Sequence, residues 1–132
     1  MKYFFITLIC FLSVTLFSCK DVSAQAGILT VSSIEFKNLI KGKDSIQLID
    51  VRTPEEFRLS HIANSRNIDI LSDTFLSAIE QLDKQKPIFI YCRSGKRSAK
   101  GAAIMQEAGF SEIYNLEGGI VEWESNNYRV TN

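Results

Sequence analysis

The chain has 132 residues, of which 45% are hydrophobic and 23% charged, and its 15 basic side chains balance 15 acidic ones. This composition is typical of a single globular domain and argues against a disordered or collagen-like chain. The absence of a basic excess removes the main sequence argument for a nucleic-acid partner.

The first element in chain order is an apolar segment near the N-terminus. Lys2 supplies a positive charge, and an uncharged run, FFITLICFLSVTLF, extends from Phe4 to Phe17. A transmembrane helix needs about 20 apolar residues. A charged start followed by a shorter apolar run is instead typical of a secretory signal peptide. We therefore expect residues 1–18 to be a signal peptide.

Two processing sites compete after this run. The segment Leu16-Phe17-Ser18-Cys19 resembles the lipobox of bacterial lipoproteins, whose cysteine is lipidated and becomes the first residue of the mature chain. Ala24-Gln25-Ala26 fits ordinary signal cleavage, which would release a periplasmic or secreted protein. The lipobox is favoured because the second site lies far from the apolar run. We expect a lipid anchor at Cys19 in the cell envelope as the only membrane contact, a tether over residues 19–27 and a domain over residues 28–132.

Cysteine usage singles out one thiol. Cys10 would leave with the signal peptide, and Cys19 would be lipidated or cut away, so Cys92 would remain alone. A lone cysteine in an exported protein has no internal disulfide that explains it. The residues around Cys92 must therefore decide whether it is inert or reactive.

The rest of the chain alternates apolar runs with helical segments. Strands are predicted at residues 28–31, 45–51, 87–91 and 113–116, and helices at residues 32–40, from residue 53, at residues 72–82 and 98–108, and after residues 118–119. Ser32 and Thr53 are each followed three residues later by Glu, which is the spacing of a capping box. The strands are near-continuous apolar runs, a pattern typical of a parallel sheet covered on both faces.

The strand at residues 87–91 leads into a polar segment, CRSGKRS, that begins with Cys92. Ligands of parallel sheets bind beyond the carboxyl ends of the strands. Backbone N–H groups at such a strand-to-helix turn can converge on an anion and, with nearby cations, lower the pKa of a thiol. Gly95 allows a backbone conformation that a side chain would hinder. The predicted site has the nucleophile Cys92 and the substrate-binding residues Arg93, Ser94, Gly95, Lys96 and Arg97.

Loop length separates two chemistries that use a cysteine–loop–arginine cradle. Four residues stand between Cys92 and Arg97, one fewer than in cysteine phosphatases, whose loop encloses a phosphoryl group. The shorter loop resembles that of the rhodanese family, in which backbone amides enclose the outer sulfur of a cysteine persulfide. A single sulfur atom needs less space than a phosphate with its oxygens.

The resemblance to rhodanese domains extends along the chain. Its N-terminal part is carried by Asp50-Val51-Arg52, Glu56-Phe57, His61-Ile62, Ser65 and Asn67-Ile68, and its C-terminal part by Leu116-Glu117-Gly118-Gly119-Ile120 and Trp123. The resemblance implies an α/β fold: a rhodanese-like three-layer sandwich with a central, mostly parallel five-stranded sheet and helices on both faces. It also implies a thiosulfate sulfurtransferase that forms a Cys92 persulfide, with a thiosulfate-like donor, a thiol or cyanide acceptor, and no metal or organic cofactor.

Two alternatives stay open at this point. One is a phosphatase or arsenate reductase that uses the same cradle, and the other is a non-catalytic persulfide carrier or binding module. The remaining conspicuous residues are expected to be structural: His61 after a short helix, Asp50 and Arg52 at a strand end, Trp123 and Tyr128 in the core or pocket wall, and Gly118 and Gly119 in a tight turn.

Overall fold

A computed structural model describes residues 27–132. The elements in chain order are β1 (Gly27–Val31), α1 (Ser33–Ile40), β2 (Gln47–Asp50), α2 (Pro54–Leu59), β3 (Arg66–Asn67), α3 (Phe75–Ile79), β4 (Ile88–Tyr91), α4 (Lys96–Glu107), β5 (Glu112–Leu116) and α5 (Gly119–Ser125). The five strands form one sheet in the order β1-β5-β4-β2-β3, and every neighbouring pair is parallel. The predicted α/β architecture is confirmed.

The predicted signal peptide, the lipidation site at Cys19 and the tether as far as residue 26 lie outside the described residues. Within residues 27–132, no helix has the length and apolar character needed to cross a membrane.

The sheet separates two apolar cores because successive side chains of a strand point to opposite faces. In β4, Ile88 and Ile90 face the core that α3 and α4 cover. Phe89 and Tyr91 face the opposite core, which α1 and α5 cover. All four residues of β4 are buried. This arrangement is the expected three-layer sandwich, with β4 at its centre.

Asp50 and Arg52 fix the end of β2, as predicted, and the structure shows that they do so through a buried ion pair. Arg52 Nη2 lies 2.7 Å from Asp50 Oδ2, and the two side chains are 0% and 5% exposed for Asp50 and Arg52 respectively. Arg52 also donates to the Ser60 carbonyl at 2.6 Å. Two buried charges must pair to offset the loss of hydration. The pair therefore ties the end of β2 to the segment that follows α2.

His61 also has the structural role predicted for it. Its ring stacks on Phe57 with 3.8 Å between ring centroids, and Nδ1 lies 2.9 Å from the Phe57 carbonyl. Its backbone N–H donates to the Thr131 carbonyl at 2.7 Å. The histidine thus joins α2 to the C-terminal segment.

Three elements differ from the sequence prediction. Helix α3 covers only Phe75–Ile79, and Thr74 before it makes no side-chain capping hydrogen bond. Helix α4 begins at Lys96, two residues before the predicted start at Ser98, because Gly95 in a left-handed conformation (φ 101°) forms its N-cap. Strand β3, of two residues, is too short to show a periodic pattern.

Candidate active site

Cys92 lies where the central strand β4 meets helix α4. It directly follows Tyr91, the last residue of β4, and α4 begins at Lys96. The first N–H groups of an α-helix have no partner within the helix and carry a partial positive charge. The thiol of Cys92 is therefore placed at the carboxyl edge of the sheet, beside the positive end of a 12-residue helix.

The sulfur of Cys92 accepts hydrogen bonds from this helix start. The Gly95 N–H donates to Sγ at 3.1 Å, and the Ser98 hydroxyl does so at 3.3 Å. The same hydroxyl lies 3.1 Å from the Gly95 carbonyl oxygen. Its single proton can therefore turn from that carbonyl to the sulfur when the thiol ionises.

These contacts decide the acidity of the thiol. Burial raises the pKa of Cys92, because a charge is poorly solvated inside the protein. Hydrogen bonds from the Ser98 hydroxyl and from the N–H groups of Ser98, Gly95 and Ser94 lower this pKa by more. The net pKa lies below its ordinary value, which favours the thiolate, the nucleophilic form of cysteine.

The thiol is buried, whereas most of the loop that follows it is exposed. Cys92 is 1% exposed, whereas Arg93, Ser94 and Lys96 are exposed. Because Cys92 is almost fully buried, a reactant can reach Sγ only if the residues that cover it move.

Arg97 is not a free cation of this loop, because it forms an ion pair with Glu56 of α2. Its Nη1 and Nη2 lie 2.8 Å from Glu56 Oε2 and Oε1. Glu56 also accepts from the Thr53 N–H at 3.1 Å, while Thr53 Oγ1 accepts from the Glu56 N–H at 3.3 Å, so the predicted capping box is present. The bond to Arg97 and those to Thr53 lower the pKa of Glu56 to about 2.

This ion pair changes the expected distribution of charge. The sequence grouped Arg97 with the cations that attract a substrate, but its guanidinium is occupied by a carboxylate and clamps α4 to α2. Arg93 and Lys96 are the exposed cations of the loop.

Backbone N–H groups in the first turn of α5 donate hydrogen bonds to the backbone of the Cys92 loop. The Ile120 N–H donates to the Cys92 carbonyl at 2.9 Å, and the Val121 N–H donates to the Arg93 carbonyl at 3.2 Å. A Cβ atom on Gly119 would overlap the backbone of Cys92 and Arg93. The predicted glycine turn thus also borders the site.

Other residues singled out in the sequence lie away from the thiol. Trp123 is buried in the core between α1, α5 and the sheet, where its Nε1 donates to the Arg129 carbonyl at 3.0 Å. Tyr128 packs edge-on against Trp123 with 5.0 Å between ring centroids. In the part of the chain that the structure describes, no three His, Cys, Asp or Glu side chains lie where they could hold a metal ion.

Sequence reasoning did not assign Ser98 or Glu56 to the site. Ser98 is fully buried beside Cys92, and its place at the end of the polar segment CRSGKRS is the local signal of this role. Glu56 is visible in the sequence as a capping residue and as part of the rhodanese resemblance, but neither shows its ion pair with Arg97, which spans 41 positions.

A known protein family matches most of this chain. Residues 32–126 match the rhodanese-like domain family. The uncharacterized protein YqhL of Bacillus subtilis is 34% identical over 119 residues, which cover 89% of this chain and 90% of that protein. Thiosulfate sulfurtransferase GlpE of Coxiella burnetii is 35% identical over 95 residues, which cover 72% and 86% of the two chains.

Solved structures give the same result. The crystal structure of a rhodanese-related protein from Thermoplasma volcanium has a TM-score of 0.68 and 28% sequence identity to this chain. The match covers 78% of this chain and 97% of that one. From its fold, its cysteine loop and these matches, this chain belongs to the rhodanese-like domain family.

Proposed function

We propose that this chain is a sulfurtransferase that moves a sulfane sulfur from thiosulfate or a similar donor to a thiophilic acceptor. The observation that carries the proposal is the set of hydrogen bonds on the Cys92 sulfur. Gly95 N–H and Ser98 hydroxyl donate to it at 3.1 and 3.3 Å, at the start of α4. Donors fixed around a thiolate also suit the terminal sulfur anion of a persulfide.

The first half of the reaction forms the persulfide. The Cys92 thiolate attacks the sulfane sulfur of thiosulfate, and a new sulfur–sulfur bond forms. The bond between the sulfane sulfur and the sulfonate sulfur breaks, and sulfite leaves with the electron pair. Cys92 then carries one additional sulfur with a negative charge, which the loop amides stabilise.

The second half regenerates the thiolate. A thiolate acceptor, or cyanide in an assay, attacks the outer sulfur of the persulfide. The bond between this sulfur and Cys92 Sγ breaks, so Cys92 leaves as a thiolate and the acceptor becomes a persulfide or thiocyanate. Because one covalent intermediate links two half-reactions, we expect ping-pong kinetics without a metal or organic cofactor.

Donor recognition divides among the loop residues. Arg93 and Lys96 attract the anionic donor, while the backbone of Ser94 and Gly95 surrounds the transferred sulfur. Arg97 contributes by holding α4 against Glu56 at 2.8 Å. The short loop, with four residues between Cys92 and Arg97, supports sulfur transfer over phosphoryl transfer, because a single sulfur atom needs less space than a phosphate with its oxygens.

The test is transfer of sulfur from thiosulfate to cyanide by wild type and Cys92→Ser. The wild type should produce thiocyanate and Cys92→Ser none, with both proteins showing the same thermal unfolding. Full transfer by Cys92→Ser would refute the assignment of the nucleophile. A stable persulfide with negligible turnover would instead support the persulfide-carrier alternative.

We also propose that the chain is exported and anchored in the cell envelope by lipidation of Cys19. Support comes from the uncharged run that ends at Phe17, two residues before this cysteine. Intact mass of the protein purified from membranes should show a lipid on wild type and none on Cys19→Ala. A mature N-terminus at Gly27 would instead support cleavage after Ala26 and contradict the anchor.

A further inference from the structure

We propose that the first turn of α5 positions the backbone N–H groups of the loop that surrounds the Cys92 thiolate. Gly119 and the Val121 N–H are the positioning groups. The inference deepens the proposed function, because it concerns the same Cys92 thiolate. Neither group touches the reacting sulfur. Both act through the backbone of the loop that surrounds it.

Hydrogen bonds to α5 fix the orientation of two peptide units in the Cys92 loop. In a trans peptide unit the C=O and N–H groups point in opposite directions. Val121 N–H holds the Arg93 carbonyl at 3.2 Å, on the side of α5. The Ser94 N–H of the same peptide unit is therefore directed away from α5, and it is one of the groups that lower the pKa of Cys92.

The preceding peptide unit is held in the same way. Ile120 N–H binds the Cys92 carbonyl at 2.9 Å, so the Arg93 N–H of that unit also points away from α5. Two consecutive carbonyls are thus drawn to the helix, and their two amides are left to face the other side. The loop cannot rotate these amides without breaking hydrogen bonds to α5.

Gly119 makes this contact possible. It is buried and has a φ of 60°. The backbones of Cys92 and Arg93 occupy the space that a Cβ atom on Gly119 would need. Any Cβ atom would push α5 and the loop apart. The glycine is therefore required for the close approach of the two backbones as well as for the turn.

The sharpest test replaces the Val121 N–H, the donor to the Arg93 carbonyl. Val121 is 47% exposed and lies in the first turn of α5, where an N–H has no partner within the helix, so proline there breaks no hydrogen bond inside α5. Val121→Pro removes the donor to Arg93, whereas the control Val121→Ala keeps it. The readout is the pKa of Cys92, taken from the pH dependence of its alkylation by iodoacetamide.

We expect Val121→Pro to raise the pKa of Cys92 by about one, the size of a weakened hydrogen bond to a charged group. Alkylation below the wild-type pKa should then slow about tenfold. Val121→Ala should match wild type. If Val121→Pro is folded and its alkylation profile coincides with that of Val121→Ala, the proposal is overturned.

Gly119→Ala provides a second test with a matched control. Gly42 also has a left-handed backbone, with a φ of 71°, but a Cβ atom there would meet nothing within 4 Å. Both variants should lose stability from backbone strain, but only Gly119→Ala should raise the pKa of Cys92. Equal pKa values in the two folded variants would contradict the positioning role.

The alkylation readout needs no sulfur transfer. If the wild type forms no persulfide but Val121→Pro still raises the pKa of Cys92, the proposed function fails and the positioning role stands. If the wild type forms a persulfide and the pKa does not respond, the positioning role fails alone.

Discussion

Ser98→Ala tests whether a buried hydroxyl stabilises the Cys92 thiolate. The substitution removes a donor that lies 3.3 Å from Sγ. Because Ser98 is 0% exposed, water has no direct access to replace it. The Gly95 carbonyl, which also contacts this hydroxyl, keeps the Ala99 N–H at 3.1 Å. The variant should therefore fold, and its main effect should be on the charge of the sulfur.

The size of the effect follows from the energy of one hydrogen bond to a charged acceptor, about 1.5 to 3 kcal/mol. Since about 1.4 kcal/mol corresponds to one pKa unit, the pKa of Cys92 should rise by about one to two. The sign is upward because the lost donor stabilises the charged form. Below the wild-type pKa, the thiolate population should fall about tenfold or more.

The assay is the rate of iodoacetamide alkylation as a function of pH. The Ser98→Ala profile should shift to higher pH and approach the wild-type rate at high pH, where both thiols are ionised. Ser65→Ala is a matched control, because Ser65 bonds to the Tyr91 hydroxyl at 2.9 Å rather than to the thiol. A Ser98→Ala profile that coincides with wild type would refute the claim that the Ser98 hydroxyl stabilises the Cys92 thiolate.

Three further predictions concern the charged residues. Glu56→Gln should lower the free energy of unfolding near neutral pH by about 1–2 kcal/mol, because it weakens the pair with Arg97 and the helix cap. In wild type, the ionised Glu56 stabilises the fold at pH values above its ordinary pKa of 4.5, and this stabilisation is lost as the pH falls toward about 2. Denaturant unfolding of both proteins at a series of pH values measures the loss and its pH dependence. Asp50→Asn should cost about 3–5 kcal/mol in denaturant unfolding, because Arg52 keeps a buried charge without its partner, and a loss below about 1 kcal/mol would contradict this. Lys96→Gln should raise the KM for thiosulfate several-fold with a smaller change in kcat; an unchanged KM in steady-state kinetics would remove Lys96 from donor binding.

The central part of the fold could be predicted from local sequence. The apolar run before Cys92 gave β4 within one residue, and the Thr53 capping box gave the start of α2. Strand β3 was missed because two residues carry no period. Its place is set by long-range bonds, such as Asn67 Nδ2 to the Asp50 carbonyl at 3.0 Å. Such elements depend on how distant segments pack against each other, and this packing cannot be read from a single sequence.

Some features of the site are set by neighbouring residues, and others by contacts between residues far apart in the sequence. Cys92 and the helix start behind it lie on consecutive residues, so their association was predictable. The pairing of Arg97 with Glu56 joins residues 41 positions apart, and the contact of Gly119 with the Cys92 loop joins two separate elements. Both depend on how helices pack around the sheet. Ser98 was missed for another reason, because the helix was expected to begin at that residue rather than before it.

The most direct test of the central claim is intact mass spectrometry after brief treatment with thiosulfate. Wild type should gain the mass of one sulfur, peptide mapping should place this sulfur on Cys92, and cyanide should remove it. Cys92→Ser should gain nothing under the same conditions. A wild-type protein that turns over thiosulfate without this added sulfur, or a Cys92→Ser protein that acquires it, would contradict the persulfide mechanism.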